Sequence, residues 1–275
     1  SEFTGLGWDT VKRIHRSRLK KKYKWINLKD LKYIAIDELY IGKKHKFITI
    51  VLNLLTGEVV HIGKGKGKDA LKSFWKRVRR MGVKIEAVAT DMASGYISAV
   101  LEHLPEADLV LDHFHLTKWF NDKLSKLRRD IYKEVSNIDK DVLKGSRWLM
   151  IKAPENLKSH NDRNKDERFR LQRALEINEP LAKAYYMKER LRLLFQCKDR
   201  ARAEDELNYW INEAQSSGVK ILIDAAKKLL IWKPFILNWY KHPISTAKLE
   251  ATNAKIRTLQ KKAYGYRDQE YFYLR

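Results

Sequence analysis

The sequence predicts an α/β fold of the α+β kind, in which a mixed sheet is followed by a long all-α region. Three observations predict it: apolar strand-like runs from residue 33 onward, alternating helix and strand patterns up to residue 112, and a helical pattern over about 113–240. Three strands followed by helix, strand, helix and strand is an α+β order around a mixed sheet. A chain of 275 residues can form one large domain or two ordinary ones.

The predicted elements of the strand-rich part follow one another closely. Apolar runs at 33–41, 47–55 and 59–62 predict three antiparallel strands, with Thr56-Gly57-Glu58 as the turn between the last two. The elements predicted after them are a helix at about 69–81, a strand at 83–90, a helix at about 93–104 and a short strand at 109–112. Much later, Pro243 and Ser245-Thr246 predict the start of a helix over about 247–262, because they supply capping chemistry.

The charge balance predicts a polyanionic partner. Lys and Arg number 57 against 34 Asp and Glu, a formal net charge of +23, which is typical of proteins that bind nucleic acid. An acidic membrane surface is the competing partner, but no apolar stretch approaches the ~20 residues of a transmembrane helix, and no signal-peptide pattern is present. Cys197 is the only cysteine, so disulfides within the chain are excluded and a reducing cytoplasm is expected.

Two basic segments are prominent. Residues 11–24 contain eight Lys and Arg, among them Lys20, Lys21 and Lys22, and no acid. This segment is either a solvated helix face or a DNA-contacting helix or linker, and the pattern leaves both interpretations open. Lys64-Gly65-Lys66-Gly67-Lys68 lacks the spacing of a phosphate-binding loop, so we interpret it as a flexible basic turn.

Acidic residues stand at unusual places in the predicted strands. Asp37 lies inside the apolar run 33–41, and Asp91 ends the run 83–90. A lone buried carboxylate costs several kcal/mol unless it is compensated, and a metal ion is the usual compensation for two such acids. If the two strands are parallel neighbours, Asp37 and Asp91 approach each other at one edge of the sheet. Glu250, on the predicted helix 247–262, supplies a third carboxylate.

Three such acids suit phosphodiester cleavage, although each has a plainer interpretation. Two divalent ions about 3.5–4 Å apart activate the attacking oxygen and stabilise the leaving oxygen, and Mg²⁺ prefers carboxylate oxygens and water. Alternatively, Asp37 is a surface acid on an edge strand, Asp91 is the N-cap of the following helix, and Glu250 is an exposed helical glutamate. Spacing and composition leave these alternatives open.

Several blocks in the chain together resemble a known family. The blocks are Ile34-Ala35-Ile36-Asp37-Glu38, Ala89-Thr90-Asp91-Met92, Leu111-Asp112-His113-Phe114-His115, Glu250-Ala251-Thr252-Asn253-Ala254-Lys255-Ile256-Arg257 and the tail Ala263-Tyr264-Gly265-Tyr266-Arg267. In this order, over about residues 8–275, they resemble the DDE transposases of bacterial insertion sequences in the ISL3 group. The resemblance implies an RNase H-like core that is interrupted by a helical insertion between the second and third acids.

The resemblance also implies a domain layout. It predicts a basic linker or the end of an N-terminal DNA-binding region at 1–30, a first part of the RNase H-like core at 31–120, an all-α insertion at 121–242, and the helix carrying the third acid at 243–275. Members of this group usually carry an N-terminal zinc-binding segment and a helix-turn-helix, neither of which is visible in this chain. We therefore expect the sequence to be a piece of a longer protein.

The resemblance assigns roles to individual residues. Asp37, Asp91 and Glu250 are the expected catalytic acids, which bind two Mg²⁺ with Mn²⁺ as a substitute. Asp112 and His115 match an Asp-x-x-His signature of several transposase groups, so they are expected near the site, supporting the acids or orienting DNA. A structural hydrogen-bonded pair at the start of a helix is an equally weighted alternative for these two residues.

The expected function is that of a DNA transposase catalytic domain. A water activated by the metal hydrolyses the strand at the transposon end, and the resulting 3′-hydroxyl attacks target DNA. Phosphate contacts are expected from the basic residues Lys20, Lys21, Lys22, Lys255, Arg257, Lys261 and Lys262. The expected partners are the terminal inverted repeats, the target DNA and a second copy of the chain on DNA, with the protein in the cytoplasm at the nucleoid.

Two rival functions remain. One is a different RNase H-like nuclease, such as a structure-selective resolvase, against which the long helical insertion argues. The other is a catalytically inactive DNA-binding regulator derived from a transposase. The intact Asp37, Asp91 and Glu250 argue against the regulator, because acids that are costly to bury should be lost when they are not used.

Overall fold

The computed structural model describes residues 5–24, 26–42, 46–266 and 268–275. The chain divides into two compact units, one made of the described residues up to Val110 together with 244–275, the other of residues 111–243. The predicted fold class is confirmed: the protein is mixed α/β, with an RNase H-like five-stranded sheet and a long helical region. Of the tail block singled out in the sequence, Arg267 lies outside the described residues.

A mixed sheet forms the centre of the first unit. Its strands are β1 (Tyr33–Gly42), β2 (Lys46–Asn53), β3 (Val59–Lys64), β4 (Ala87–Thr90) and β5 (Asp108–Leu111). Their spatial order is β3-β2-β1-β4-β5. β2 is antiparallel to both β1 and β3, whereas β4 is parallel to β1. Thus β1 is a central strand with partners on both sides, and its Ile34, Ala35, Ile36 and Leu39 are all buried.

Helices account for most of the remaining chain. In chain order they are α1 (Trp8–Tyr23), α2 (Lys72–Arg80), α3 (Ser94–His103), α4 (His113–Glu134), α5 (Asn137–Leu143), α6 (Ser146–Ile151), α7 (Glu167–Glu176), α8 (Glu179–Leu194), α9 (Arg200–Ser216), α10 (Lys220–Leu237), α11 (Ala247–Lys262) and α12 (Gln269–Leu274). None of the described helices is long and apolar enough to cross a membrane.

The connection before β4 is longer than the sequence predicted. The strand was expected over 83–90, but it begins only at Ala87. The backbone N–H of Val83 donates to the carbonyl of Val78, 3.1 Å away, and so closes the end of α2. Residues 83–86 therefore leave the helix rather than pair with β1.

The two faces of the sheet are covered by different helices. On one face, Leu249 of α11 packs with Ala35 of β1, Ala89 of β4 and further buried residues of β1 and β2. On the other face, the Tyr96 hydroxyl of α3 lies 3.0 Å from the hydroxyl of Thr49 on β2. Because successive residues of a strand point to opposite faces, Asp37 belongs to the face of Ala35, the one that α11 covers.

The two ends of the first unit also meet. His15 of α1 lies 2.7 Å from the hydroxyl of Tyr271 on α12. Lys12 pairs with Asp268 at 3.0 Å, and Lys20 pairs with Glu270 at 2.5 Å. α1 has no buried residue among those described, so polar contacts rather than an apolar seam hold it to α12.

The second unit is all-α, made of α4 to α10. Trp210 of α9 is buried, and its indole N–H donates to the carbonyl of Met187 on α8 at 2.7 Å. Lys188 of α8 is also buried. Its ammonium group donates to the carbonyls of Met150 (2.9 Å) and Lys152 (3.2 Å) and pairs with Glu189. Such pairing is what permits a buried lysine.

Candidate active site

The parallel pairing of β1 and β4 places two of the predicted acids at adjoining positions. Ile36 of β1 lies opposite Thr90 of β4, and Ala35 lies opposite Ala89. Asp37 and Asp91 are the next residues along each chain segment. Each acid comes two positions after a residue that packs with Leu249, Asp37 after Ala35 and Asp91 after Ala89. The alternation of the strands therefore assigns both acids to the side of the sheet on which α11 lies.

The carboxylate of Asp37 is held at both oxygens. The backbone N–H of Glu38 donates to Oδ1 at 2.7 Å, and the side-chain amide of Asn253 on α11 donates to Oδ2 at 2.8 Å. These bonds orient the carboxylate before any ligand arrives. The alternative of a surface acid on an edge strand is wrong, because β1 lies between β2 and β4 and Asp37 is half-buried.

Asp91 shapes the turn that follows β4. Its Oδ1 accepts a hydrogen bond from the backbone N–H of Ala93 at 2.9 Å, which is the pattern of an Asx turn. The alternative of an N-cap is wrong: α3 begins at Ser94, its N-cap is Ala93, and no side chain caps it. Asp91 thus lies two positions before the N-cap and is half-buried, and its Oδ1 fixes the turn through the bond to Ala93.

Glu250 lies in the first turn of α11. Its Oε1 accepts a long hydrogen bond, 3.4 Å, from the hydroxyl of Thr246. The sequence suggested Thr246 as a capping residue, but its backbone is already helical and its side chain makes no capping bond. The hydroxyl instead bonds to the carboxylate one turn further along, within the same helix.

Three polar contacts tie α11 to the sheet. Lys248 donates to the carbonyl of Leu54 at 2.7 Å, Asn253 donates to Asp37, and Gln260 donates to the carbonyl of Ile41 at 3.3 Å. Together with the buried Leu249, they fix the helix along its length. Glu250 is thereby carried on the helix that reaches Asp37.

The acids fit a divalent cation in part. In the described ranges, no group of three or more His, Cys, Asp and Glu side chains is arranged to hold a metal ion. However, Asn253 is 4% exposed, and its Oδ1 has no hydrogen-bond partner among the described residues. A buried oxygen without a donor, on the amide that bonds to the Asp37 carboxylate, matches the all-oxygen surroundings that Mg²⁺ and Mn²⁺ prefer.

Asp112 and His115 belong to the second unit. Asp112 is buried and is the N-cap of α4, where its Oδ1 accepts from the backbone N–H of Phe114 at 2.7 Å. Asp112 thus has a structural role at the start of the helix, as a cap, whereas the alternative from the sequence was a hydrogen-bonded pair of Asp112 and His115. His115 lies in the first turn of the same helix.

His113, between these two residues, is packed among aromatic rings. Its ring stacks on Phe195 at a centroid distance of 4.0 Å and lies 4.8 Å from Trp239. Burial lowers the pKa of His113 to about 4, against the opposing effects of the Asp112 charge and a hydrogen bond with the Ile236 backbone. The imidazole is therefore neutral at physiological pH.

The predicted DNA-contacting cations differ in how far they are engaged. Lys255, Arg257, Lys261 and Lys262 are exposed on α11, and Lys21 and Lys22 are exposed on α1. Lys20 is paired with Glu270 at 2.5 Å. No local pattern in the sequence indicates this pairing, because Glu270 lies at the opposite end of the chain.

The sequence alone assigned no role to Asn253. It placed the residue on the same helix as Glu250, between that acid and Arg257, without a partner. The available signal was its spacing: a residue three positions after Glu250 lies on the same side of the helix. The bond to Asp37 joins residues that are 216 positions apart.

Comparison with known proteins gives a consistent result. The sequence model of one protein family, the ISL3 group of DDE transposases, matches residues 34–275, and the family is described as "Transposase". The transposase for insertion sequence element IS1001 of Bordetella parapertussis is 30% identical over 282 residues, covering 100% of this chain and 67% of that protein. The transposase for insertion sequence element IS1557 of Mycobacterium tuberculosis is 26% identical over 286 residues, covering 95% of this chain and 60% of that protein.

Proposed function

Because this chain belongs to the ISL3 family of DDE transposases, we propose that it carries the catalytic centre of a DNA transposase. The observation that supports the proposal most directly is the meeting of three elements at one place. β1 supplies Asp37, the end of β4 supplies Asp91 at the adjoining position, and α11 carries Glu250 while its Asn253 bonds to Asp37. The chain spans about two thirds or less of these relatives, so the activity of the whole protein is part of the proposal.

In this proposal Asp37, Asp91 and Glu250 hold two Mg²⁺, for which Mn²⁺ substitutes. A divalent metal held there would supply activation of the attacking oxygen and stabilisation of the leaving oxygen. The chain itself orients the ligands: Glu38 and Asn253 fix the Asp37 carboxylate, and the turn at Ala93 fixes Asp91. Ligands that are oriented in advance bind a cation with less loss of side-chain entropy.

The proposed reaction has two steps. Water attacks a phosphodiester at the transposon end, and the bond between phosphorus and the 3′ oxygen of the transposon breaks. This leaves a 3′-hydroxyl on the transposon and a 5′-phosphate on the flanking strand. That hydroxyl then attacks a phosphodiester of the target, forming one P–O bond as another breaks. In this proposal Asp112 and His115 support the acids or orient the DNA. Asp112 also caps α4.

DNA is the proposed partner. The exposed cations Lys255, Arg257, Lys261 and Lys262 lie on the same helix as Glu250, and in this proposal they neutralise phosphates beside the acids. Lys20, Lys21 and Lys22 on α1 are proposed as a second set. The substrates are the terminal inverted repeats and target DNA, and two copies of the protein pair the two ends. This assigns the protein to the nucleoid in the cytoplasm.

We retain the domain layout as part of the same proposal. Residues 1–30 are a linker or the end of a DNA-binding region, 31–120 and 243–275 form the catalytic core, and 121–242 are an insertion. The structure itself divides the chain into one unit around the sheet and one all-α unit.

The test is metal-dependent nicking of duplex DNA that carries the ends of the encoding element. Glu250→Gln is compared with wild type in the protein as its gene encodes it, with Mg²⁺, Mn²⁺ or chelator. Glu102→Gln, an exposed glutamate on α3, is the matched control. We expect nicking at the element's ends that needs metal, is lost in Glu250→Gln and persists in Glu102→Gln.

Other results would point to the rival functions. Equal nicking by wild type and Glu250→Gln would remove Glu250 from the site. Tight DNA binding without nicking under any metal condition would favour a regulator. Cleavage that follows DNA branching rather than the element's ends would favour a structure-selective nuclease.

A further inference from the structure

We propose that Asn253 is part of the cation site: its amide nitrogen positions the Asp37 carboxylate, and its amide oxygen is a neutral ligand of the divalent cation that Asp37 binds. The inference rests on the proposed function, because it presupposes a cation at Asp37. The contact that supports it is the 2.8 Å hydrogen bond from Nδ2 of Asn253 to Oδ2 of Asp37.

The orientation of the Asn253 amide follows from its partner. An ionised carboxylate has no hydrogen to donate, so only the NH₂ end of the amide can face Asp37. The oxygen is therefore the other end of the group, and a flipped amide would set two oxygens against each other. Asn253 is 4% exposed, so bulk water does not solvate this oxygen freely.

The amide oxygen lacks a donor. Oδ1 of Asn253 is buried and has no hydrogen-bond partner among the residues that the structure describes. A buried polar atom left unsatisfied costs about 1–3 kcal/mol, so such atoms are uncommon in folded proteins unless a ligand or water completes them. A divalent cation of the hard, oxygen-preferring kind is a partner with matching chemistry, since carbonyl oxygens of Asn and Gln are among its usual ligands.

Asparagine suits this position better than aspartate would. Asp37 and Asp91 already place two negative charges at adjoining positions of neighbouring strands. An amide adds an oxygen ligand without a third charge, and at the same time it donates to Asp37, which a second carboxylate could not do when ionised. One side chain thus orients one ligand and supplies another.

The other contacts of α11 separate this role from simple docking of the helix. Lys248 and Gln260 donate to backbone carbonyls, of Leu54 and Ile41, which have no part in binding a cation. Leu249 supplies the buried apolar contact. Removing Asn253 therefore leaves the other attachments of the helix in place, and Gln260→Ala is a matched control that removes a helix–strand hydrogen bond away from the acids.

The experiment measures Mn²⁺ binding directly, by the electron paramagnetic resonance signal of free Mn²⁺ in titrations without DNA. Wild type is compared with Asn253→Ala, Asn253→Asp, Gln260→Ala and Asp37→Asn. We expect Asn253→Ala to weaken Mn²⁺ binding by about 10–100-fold, the range seen when groups that orient a metal ligand are removed. Gln260→Ala should bind Mn²⁺ like wild type.

The aspartate variant separates ligation from positioning. Asn253→Asp keeps an oxygen but loses the donor to Asp37, so it should bind Mn²⁺ more tightly than Asn253→Ala. In chelator, Asn253→Asp should also melt at a lower temperature than wild type. Its melting temperature should rise more than that of wild type when Mn²⁺ is added. Equal weakening in Asn253→Asp and Asn253→Ala would overturn the ligand role and leave only positioning.

The remaining outcomes distinguish this inference from the proposed function. If Asn253→Ala binds Mn²⁺ like wild type while Asp37→Asn does not bind it, the inference about Asn253 is wrong and the acid site stands. If Asp37→Asn binds Mn²⁺ like wild type, the cation site at Asp37 is wrong, and the proposed function loses its central residue. Circular dichroism of each variant verifies that the protein is folded before the titration.

Discussion

Ile36 of β1 lies opposite Thr90 of β4 in a parallel register, and the acidic residues Asp37 and Asp91 come directly after this pair. The register therefore places two carboxylates at neighbouring positions of the sheet, where like charges disfavour the folded state unless a cation separates them. The same placement of the two carboxylates that suits metal binding thus lowers the stability of the folded protein when no metal is bound.

The first prediction concerns this cost. Asp91→Asn keeps the oxygen that accepts from the Ala93 N–H and removes one negative charge. We expect the variant to gain on the order of 0.5 kcal/mol in free energy of unfolding in chelator, and to gain less than wild type from added Mn²⁺. Chemical denaturation with and without Mn²⁺ measures both. A variant that is less stable than wild type in chelator would contradict the prediction.

The second prediction concerns the docking of α11. Leu249 is 0% exposed and packs against the sheet. We expect Leu249→Ala to lower the free energy of unfolding by about 2–5 kcal/mol, because it removes buried methyl groups and leaves a cavity. Leu101→Ala on α3, where the side chain is 47% exposed, is the control and should cost much less. Comparable losses in both variants would show that α11 is not firmly packed.

The third prediction concerns the close approach of β3 to the 3₁₀ turn Lys68–Leu71. A Cβ atom on Gly63 would lie 2.0 Å from the carbonyl oxygen of Ala70. Since backbone must move to admit it, we expect Gly63→Ala to destabilise the protein by about 1–3 kcal/mol. Gly7→Ala serves as the control, because nothing lies within 4 Å of its added Cβ. Thermal unfolding of the two variants tests the difference.

The fourth prediction concerns DNA binding. If Lys255 contacts a phosphate, Lys255→Gln should make DNA binding less sensitive to salt. The slope of log K for DNA binding against log salt concentration is negative, and its magnitude should fall by about 0.9. Lys20 already pairs with Glu270 at 2.5 Å, so Lys20→Gln should lower the slope by less. Binding of a fixed duplex is measured over a series of salt concentrations. A larger effect of Lys20→Gln would show that this lysine leaves Glu270 for DNA.

The fifth prediction concerns pH. Burial lowers the pKa of His113 to about 4, whereas an unfolded histidine titrates near 6.5. Below pH 6.5 the unfolded chain therefore binds a proton that the folded protein does not, and stability falls as the pH is lowered from 6.5 towards 4. The loss between pH 7 and pH 5 should be about 2 kcal/mol for this group, from 1.4 kcal/mol per pKa unit.

His113→Phe tests this directly, because phenylalanine can keep the stacking on Phe195 and Trp239 but cannot titrate. The free energy of unfolding is measured for both proteins at pH 7 and pH 5. The variant should lose about 2 kcal/mol less than wild type over this interval. An equal loss in the two proteins would assign the acid sensitivity to other groups.

The sequence by itself determined the fold class, the family, the basic character and the identity of the candidate acids. It also gave the bounds of α11, predicted over about 247–262 and found at Ala247–Lys262. These properties were predictable because apolar periodicity, charge and helix start and stop signals can be read from short stretches of sequence.

Only the tertiary structure decided the register of β1 against β4, the bond between Asn253 and Asp37, and the pairing of Lys20 with Glu270. It also showed that Asp91 shapes a turn rather than caps α3. Each of these depends on which surfaces pack together, and residues 216 positions apart, such as Asp37 and Asn253, share no local pattern that fixes their distance. The sheet and the helix that covers it bring them together because burying Leu249 and its neighbours from water favours that packing.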